Sequence, residues 1–348
     1  MDRTQLHQVS PALEARSQPH ATSRTELHPR PRVVVSECLG FEACRHNGQI
    51  IRDDFVSALR PHVDFVKICP EVAIGLGTPR EALRLVERKW QLRMVQPATG
   101  KDFTHEMESF ATEYLKALGP VDGFILKGRS PSCGIKDAKR YPLAEKCAPA
   151  GRGPGVFGAR VLDLYPGRAI EDEGRLRDGR IRAHFLTQLY TLARFRELEK
   201  NPTRADLIAF HAGHKLLLLA YNQKEMRNLG GIVGAMNGRE IREVFADYRE
   251  GLERAMSRMP RHRSHINVLE HAVGYFSDEV SRSERNHFTH LLGEFAEGRA
   301  PLSVPASVLR SWTERFDSDY LRGQVYFAPY PKELTINRQA LAKGLLPA

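Results

Sequence analysis

Three short β-branched apolar runs in the first 127 residues each end in a loop that carries a cysteine. That repetition narrows the fold of this 348-residue chain more than any other feature. Residues 32–36 (RVVVS) lead to Cys38, residues 63–68 (VDFVKI) to Cys69, and residues 121–127 (VDGFILK) to Cys133 within RSPSCG. Between them, residues 53–59 read as a helix capped by Asp53 or Asp54. Residues 103–118 read as a second helix with Phe110, Tyr114 and Leu118 on one face. Strand, helix, strand, helix, strand predicts an α/β domain, an open and mostly parallel sheet in a three-layer arrangement. Such sheets bind ligands at the carboxyl ends of their strands, so the fold gathers three cysteines that the sequence scatters. Residues 82–96 fit either a helix or an edge hairpin, and 153–164 are Gly-led and then helical.

Residues 1 to about 30 are polar and broken by Pro11, Pro19 and Pro29, which predicts a disordered tail. Around residues 165–180 the chain turns polar and Gly-rich, dividing an α/β domain over 31–178 from a second domain over 179–348. In that second half apolar residues recur at helical spacing over 184–199, 203–223, 241–256, 266–275, 281–297 and 303–316. Pro202, Pro260 and Pro301 punctuate them, so an all-α bundle is expected.

Lysine and arginine total 52 against 42 aspartate and glutamate, a net charge of +10. The surplus favours an anionic partner, nucleic acid or a phosphorylated metabolite, without choosing between them. The apolar run near 216–220 falls far short of the roughly 20 residues of a membrane span, so no membrane partner is expected. Five cysteines are an odd number in a long chain, unlike a secreted disulfide scaffold. They predict a cytoplasmic protein that uses thiols for metal binding or catalysis.

The spacing of Cys38, Cys44, Cys69 and Cys133 lacks the close pairs of a zinc finger. Thiolates from separate strand ends suit an iron–sulfur cluster or another soft metal, and three thiolates on four irons leave one iron open. The plain alternative is that these are small buried apolar residues. In Cys69-Pro70-Glu71 a carboxylate stands two residues from a thiol, where it can serve as a general base or as a simple helix-terminal charge. Ser130 and Ser132 flank Cys133 with two hydroxyls, and Gly134 lets the backbone approach a ligand closely.

Segments VSECLGFEACRHNG (35–48), VKICPEVAIGLGTPREALRL (66–85) and ILKGRSPSCGIKDAKRY (125–141) resemble, in order, the three motif blocks of the thiouracil desulfidase family. Residues 210–234 (FHAGHKLLLLAYNQKEMRNLGGIVG) resemble the YbgA-like helical domain often fused to it. The combination is similar to the tRNA 4-thiouridine desulfidases. That resemblance implies a 4Fe-4S cluster held by Cys38, Cys69 and Cys133, sulfur removal without net redox change, and tRNA as partner. Glu71 and Ser130 stand where the family has its catalytic carboxylate and serine. Two positions depart from the pattern. Cys44 replaces an apolar residue common in relatives, leaving an extra thiol near the cluster. RHNG (45–48) replaces the usual RYDG, so His46 and Asn47 have no assigned role, and Cys147 matches no motif.

On this reading the thiocarbonyl sulfur of 4-thiouridine meets the open iron, Glu71 activates water, and Ser130 relays a proton or holds the ring. A desulfidase of free thiouracil or thio-UMP is one alternative, and a non-catalytic metal-bound RNA-binding module is another. The additional helical domain favours tRNA. Arg80, Lys127, Arg129, Lys136, Lys139 and Arg140 lie in or beside the motif loops and are candidates for phosphate contact, Arg80 and Lys127 foremost. Ser132 is a candidate substrate contact. Residues 151–155 (GRGPG) read as a tight turn or a backbone phosphate cradle, and 258–265 (RMPRHRSH) as part of a tRNA footprint. The pairs His211/His214 and His287/His290 sit at helical spacing without a carboxylate or thiol to complete a metal site.

Overall fold

Alternation along short strands, combined with parallel pairing, sets the architecture of the first half. The computed structural model describes residues 28–88, 91–144 and 147–335. Its strands are β1 (Arg32–Ser36), β2 (Asp64–Ile68), β3 (Arg84–Arg88), β4 (Gln91–Gln96), β5 (Lys101–Asp102), β6 (Gly123–Leu126), β7 (Ala138–Tyr141), β8 (Gly151–Gly153) and β9 (Ala169–Asp172). The helices that cover them are α1 (Asp54–Leu59), α2 (Pro70–Ala73), α3 (Thr104–Ala117) and α4 (Val156–Leu164). A four-stranded sheet runs in the order β2-β1-β6-β9 and is parallel throughout.

In β1, Val33 and Val35 face one core and Val34 the other. Val34 packs with Met107, Ala111 and Leu115 of α3 and Phe157 and Val161 of α4. Val33 and Val35 pack with Val56 and Leu59 of α1, beneath the helix that follows the sheet. The three expected layers are therefore present. Asp53, not Asp54, caps α1, accepting the Val56 amide at 2.9 Å.

The undecided stretch 82–96 resolves into the antiparallel pair β3–β4. It belongs to a second, mixed sheet in the order β5-β4-β3-β7-β8 that the sequence reading did not foresee. Leu85 and Met94 of this pair are buried against α3, while their charged neighbours face outward. Residues 151–153 are β8 and not a free turn. The expected tail lies outside the described residues up to 27. Arg30, by contrast, is docked, with Nε on Asp64 at 2.8 Å and Nη2 on the Val63 carbonyl at 3.0 Å.

The second half is helical: α5 (Gly179–Lys200), α6 (Arg204–Tyr221), α7 (Gln223–Gly234), α8 (Ile241–Met256), α9 (His262–Val273), α10 (Arg282–Ala296), α11 (Ser303–Arg315) and α12 (Asp319–Arg322). Side-chain caps start most of them: Asp178, Thr203, Asn222, Glu240, and Ser281 in a capping box with Glu284. Helix α7 was hidden by Gly230, Gly231 and Gly234, which weaken its helical signal. Helix α5 belongs to both halves. Its Phe185, Leu186, Leu189 and Tyr190 complete the core under the sheet, whereas Leu192 and Phe195 enter the helical core. Among the described residues no helix is long and apolar enough to cross a membrane.

The histidine pair 211/214 is structural. His211 Nδ1 meets the Tyr248 hydroxyl at 3.0 Å, and His214 stacks on Phe210 with Nδ1 2.7 Å from the Phe210 carbonyl. Burial lowers His214 from 6.5 to about 3, and His28 and His265 to about 4. The unfolded chain then binds protons that the native state refuses. Stability is full above pH 6.5 and falls as the pH drops from 6.5 towards 4. Urea denaturation at pH 7 and 5.5 is expected to show this loss. His214→Gln should remove about 1 kcal/mol of that loss between the two pH values, and an unchanged slope would contradict the assignment.

Candidate active site

The carboxyl ends of β1, β2 and β6 lie side by side, because Ser36 pairs with Ile68 and Val35 with Ile125. The chain after Ser36 turns at once: Leu39 N donates to the Ser36 carbonyl at 2.9 Å and Glu37 N to the Ile68 carbonyl at 2.9 Å. That turn buries Cys38. Cys69 ends β2 as the N-cap of α2, with Pro70 in the first helical position, and puts Glu71 in the first turn. After β6 the RSPSCG loop folds back through a Gly134 N to Ser130 O bond of 3.0 Å and delivers Cys133.

Four of the five cysteines meet there. The Cys44 thiol is hydrogen-bonded to the thiols of Cys38 and Cys69, and Cys69 Sγ lies 3.7 Å from the Cys44 carbonyl. Its bond with Cys38 pushes Cys44 from 9.0 up to about 11. The bond with Cys44 and burial raise Cys69, and burial drives Cys133 to about 12. Cys44 thus sits inside the thiol group. Cys147 stands apart, on the Leu143 carbonyl at 3.6 Å.

Beside the thiols runs a hydrogen-bonded chain. Ser132 Oγ donates to Glu71 Oε1 at 2.6 Å, and Ser130 Oγ lies 2.9 Å from Ser132 Oγ. Ser130 Oγ also accepts the amides of Ser132 (3.2 Å) and Cys133 (3.1 Å), so it shapes the loop while its neighbour reaches the carboxylate. On its other side Glu71 Oε2 accepts Arg80 Nε at 2.9 Å and Nη2 at 2.7 Å. Arg80 Nη1 donates to the Cys44 carbonyl at 3.0 Å, and its backbone amide to the His46 carbonyl at 2.7 Å. The side chain of His46 is exposed, and that of Asn47 turns to Gln49.

The basic residues sort differently from the sequence expectation. Arg80 is 6% exposed and ion-paired with Glu71, so its guanidinium does not face solvent as a phosphate contact. Lys127 Nζ is ion-paired with Glu173, whose Oε2 accepts the Gly128 amide at 2.7 Å. The partner of Arg80 lies nine residues away in sequence and that of Lys127 forty-six. Arg140 pairs with Glu87 at 3.0 Å. Arg129 has a left-handed backbone (φ 62°) held by Asp137, and its side chain is 81% exposed. Lys136 and Lys139 are exposed as well. Sequence reasoning missed Ser36, a buried strand-end hydroxyl that accepts the Lys127 amide at 2.9 Å and hydrogen-bonds Cys133. A polar residue closing an otherwise apolar strand was its only signal.

The start of α4 is spent on the cysteine loop. Gly155, Val156 and Gly158 amides donate to the carbonyls of Gly134 (2.8 Å), Pro131 (3.0 Å) and Ser132 (2.9 Å), which leaves no phosphate cradle at 151–155. Soft thiols on three strand ends, Cys38 and Cys133 buried and Cys69 half-buried, fit a multi-iron group.

Residues 33–173 match the family model described as 2-thiouracil desulfurase. The uncharacterized protein YbbK of Bacillus subtilis is 33% identical over 110 residues, which cover 29% of this chain and 72% of YbbK. The chain belongs to the 2-thiouracil desulfurase family. Residues 215–331 match a family described as a protein of unknown function, DUF1722. The uncharacterized protein YbgA of Escherichia coli is 27% identical over 158 residues, 45% of this chain and 94% of YbgA. A desulfurase domain is therefore fused to a YbgA-like one. A solved structure described as a [4Fe-4S]-dependent thiouracil desulfidase, TudS, is 29% identical, covers 42% of this chain and 94% of its own, and has a TM-score of 0.35.

The docking of α4 makes a prediction within this family member. A Cβ on Gly158 falls on the Gly134 carbonyl and lies 2.8 Å from the Cys133 carbonyl. Gly158→Ala is expected to destabilise the fold by about 1–3 kcal/mol and to expose Cys133 to iodoacetamide. Denaturation and mass mapping of labelled thiols check this; a Cys133 as protected as in wild type would contradict it.

Proposed function

We propose that this desulfurase-family chain removes sulfur from 4-thiouridine in tRNA, leaving uridine, and that it does so in the reducing cytoplasm. The observation that carries the reading is the Glu71 carboxylate, buried beside the Cys69 and Cys133 thiols and bonded to Ser132 at 2.6 Å. Cys38, Cys69 and Cys133 would hold a 4Fe-4S cluster with Cys44 beside them; when bound, it supplies an open iron that makes the carbon of a thiocarbonyl electrophilic. Glu71 takes a proton from the attacking water, and Ser132 holds that proton's position at Oε1. Ser130 keeps the loop in shape through the Cys133 amide. Water's oxygen bonds to C4, the C–S bond breaks, and sulfur leaves as hydrogen sulfide. No electrons are exchanged.

We assign the chemistry to residues 31–178 and the holding of RNA to 179–348. Arg258 and Arg261, in the connection between α8 and α9, and Arg263, in the first turn of α9, support the second assignment: all three are exposed, and none is ion-paired among the described residues. Exposed Arg129, Lys136 and Lys139, near the thiol loops, are the remaining candidates for a phosphate beside the target base. Free thiouracil is a second reading. It draws on the family description, which names 2-thiouracil.

Truncation after 178 would strip Phe185, Leu186, Leu189 and Tyr190 from the sheet core, so substitutions are the cleaner test. Replacing Arg258, Arg261 and Arg263 by glutamate should raise KM for thiolated tRNA about 10-fold or more and leave desulfuration of free 4-thiouridine unchanged. Equal effects on both substrates would remove tRNA holding from that surface. Glu71→Gln, prepared anaerobically with full iron content, should lose about 100-fold or more in sulfide release. A cluster-bearing protein that releases no sulfide from any thiolated uracil would favour a non-catalytic RNA-binding module.

A further inference from the structure

We propose that Arg80 is a positioning residue that makes Oε1 the working oxygen of Glu71, directing proton transfer to the Ser132 side of the carboxylate. The proposal rests on the desulfidase reading above. Arg80 stands nine residues beyond Glu71, and its Nε and Nη2 both donate to a single oxygen, Oε2, at 2.9 and 2.7 Å. Oε1 accepts a single neutral donor, Ser132 Oγ, at 2.6 Å. Two charge-assisted bonds occupy Oε2 and fix the carboxylate plane, which leaves Oε1 as the oxygen held by a neutral hydroxyl alone. A proton taken from water therefore goes to Oε1, which the Ser132 hydroxyl, itself paired with Ser130 at 2.9 Å, holds in place. The balance is simple: one O–H bond of water breaks and one forms on Oε1, the bonds from C4 to sulfur are replaced by bonds to water's oxygen, and the Oε1 proton and water's second proton leave with sulfur as hydrogen sulfide.

Arg80 is itself braced. Nη1 donates to the carbonyls of Cys44 (3.0 Å) and Gly77 (3.1 Å) and to Thr78 Oγ1 (3.3 Å). The guanidinium thus ties the carboxylate to the loop that carries Cys44, and its fork geometry explains why arginine stands there. A lysine ammonium supplies a point charge and cannot hold Oε2 twice while also reaching Cys44.

The test compares Arg80→Ala, Arg80→Lys and Arg80→Ala/Glu71→Gln with wild type in the full chain, each at matched iron content. Expected is a kcat loss of about 100-fold for R80A with KM within twofold, partial recovery in R80K, and recovery of R80A by added guanidinium ion. In the Glu71→Gln background R80A should cost nothing further. If R80A fails to fold, R80K against Glu71→Gln carries the same comparison. A raised KM for tRNA with kcat intact would make Arg80 a phosphate contact and overturn the proposal, as would full kcat in R80A. A wild type that releases no sulfide overturns the desulfidase reading and this proposal with it, whereas an active wild type beside an unimpaired R80A overturns the proposal alone.

Discussion

Parallel pairing of β1 with β2 on one side and β6 on the other is the constraint from which the site follows. A parallel register places all three carboxyl ends on one edge, so loops separated by as many as 95 residues leave the sheet together. Ser36 strengthens that alignment. Its hydroxyl accepts the Lys127 amide at the end of β6, while the amide of Glu37 pairs with the last residue of β2. The thiols converge because the strand ends are pinned to one another, and no local motif would bring them together.

The Glu71–Arg80 pair shows what that edge is built to hold. Removing two charges from water is expensive, and attraction between them repays the cost only with good geometry and further hydrogen bonds. Here the two ions share five further polar partners: Ser132, Cys44, Gly77, Thr78 and, through the Arg80 backbone, His46. An apolar pair of similar volume would stabilise the loops as well. Retaining an ionised carboxylate against buried thiols therefore makes sense as chemistry.

The strands, the cysteine loops and most helix starts were legible because each rests on local information: β-branched runs, turn residues and capping side chains. The second sheet was not. In residues 84–96 Leu85, Leu92 and Met94 alternate as a strand requires, but the arginines and glutamate between them also fit an amphipathic helix. Helix α7 was obscured by three glycines that tertiary packing tolerates. Charge roles were the least legible. Arg80 and Lys127 read as exposed cations beside motifs, yet Glu71 and Glu173 claim them, and the second carboxylate lies 46 residues downstream. A sequence records that a basic residue is present but not whether folding has already paired it. Cys44 shows the converse, since its membership of the thiol group depends on a loop path that composition does not reveal.

The division of the chain into two halves is a division of composition more than of structure. Helix α5 runs unbroken for 22 residues from the sheet core into the helical core. Near the far end of the chain, Tyr330 and Leu334 return to pack against the same sheet-side core. The buried stretch of α5 from Phe185 to Ala193 spans the junction, so breaking it would open two cores at once. The two cores are therefore joined by one continuous helix, and a change that loosens one reaches the other.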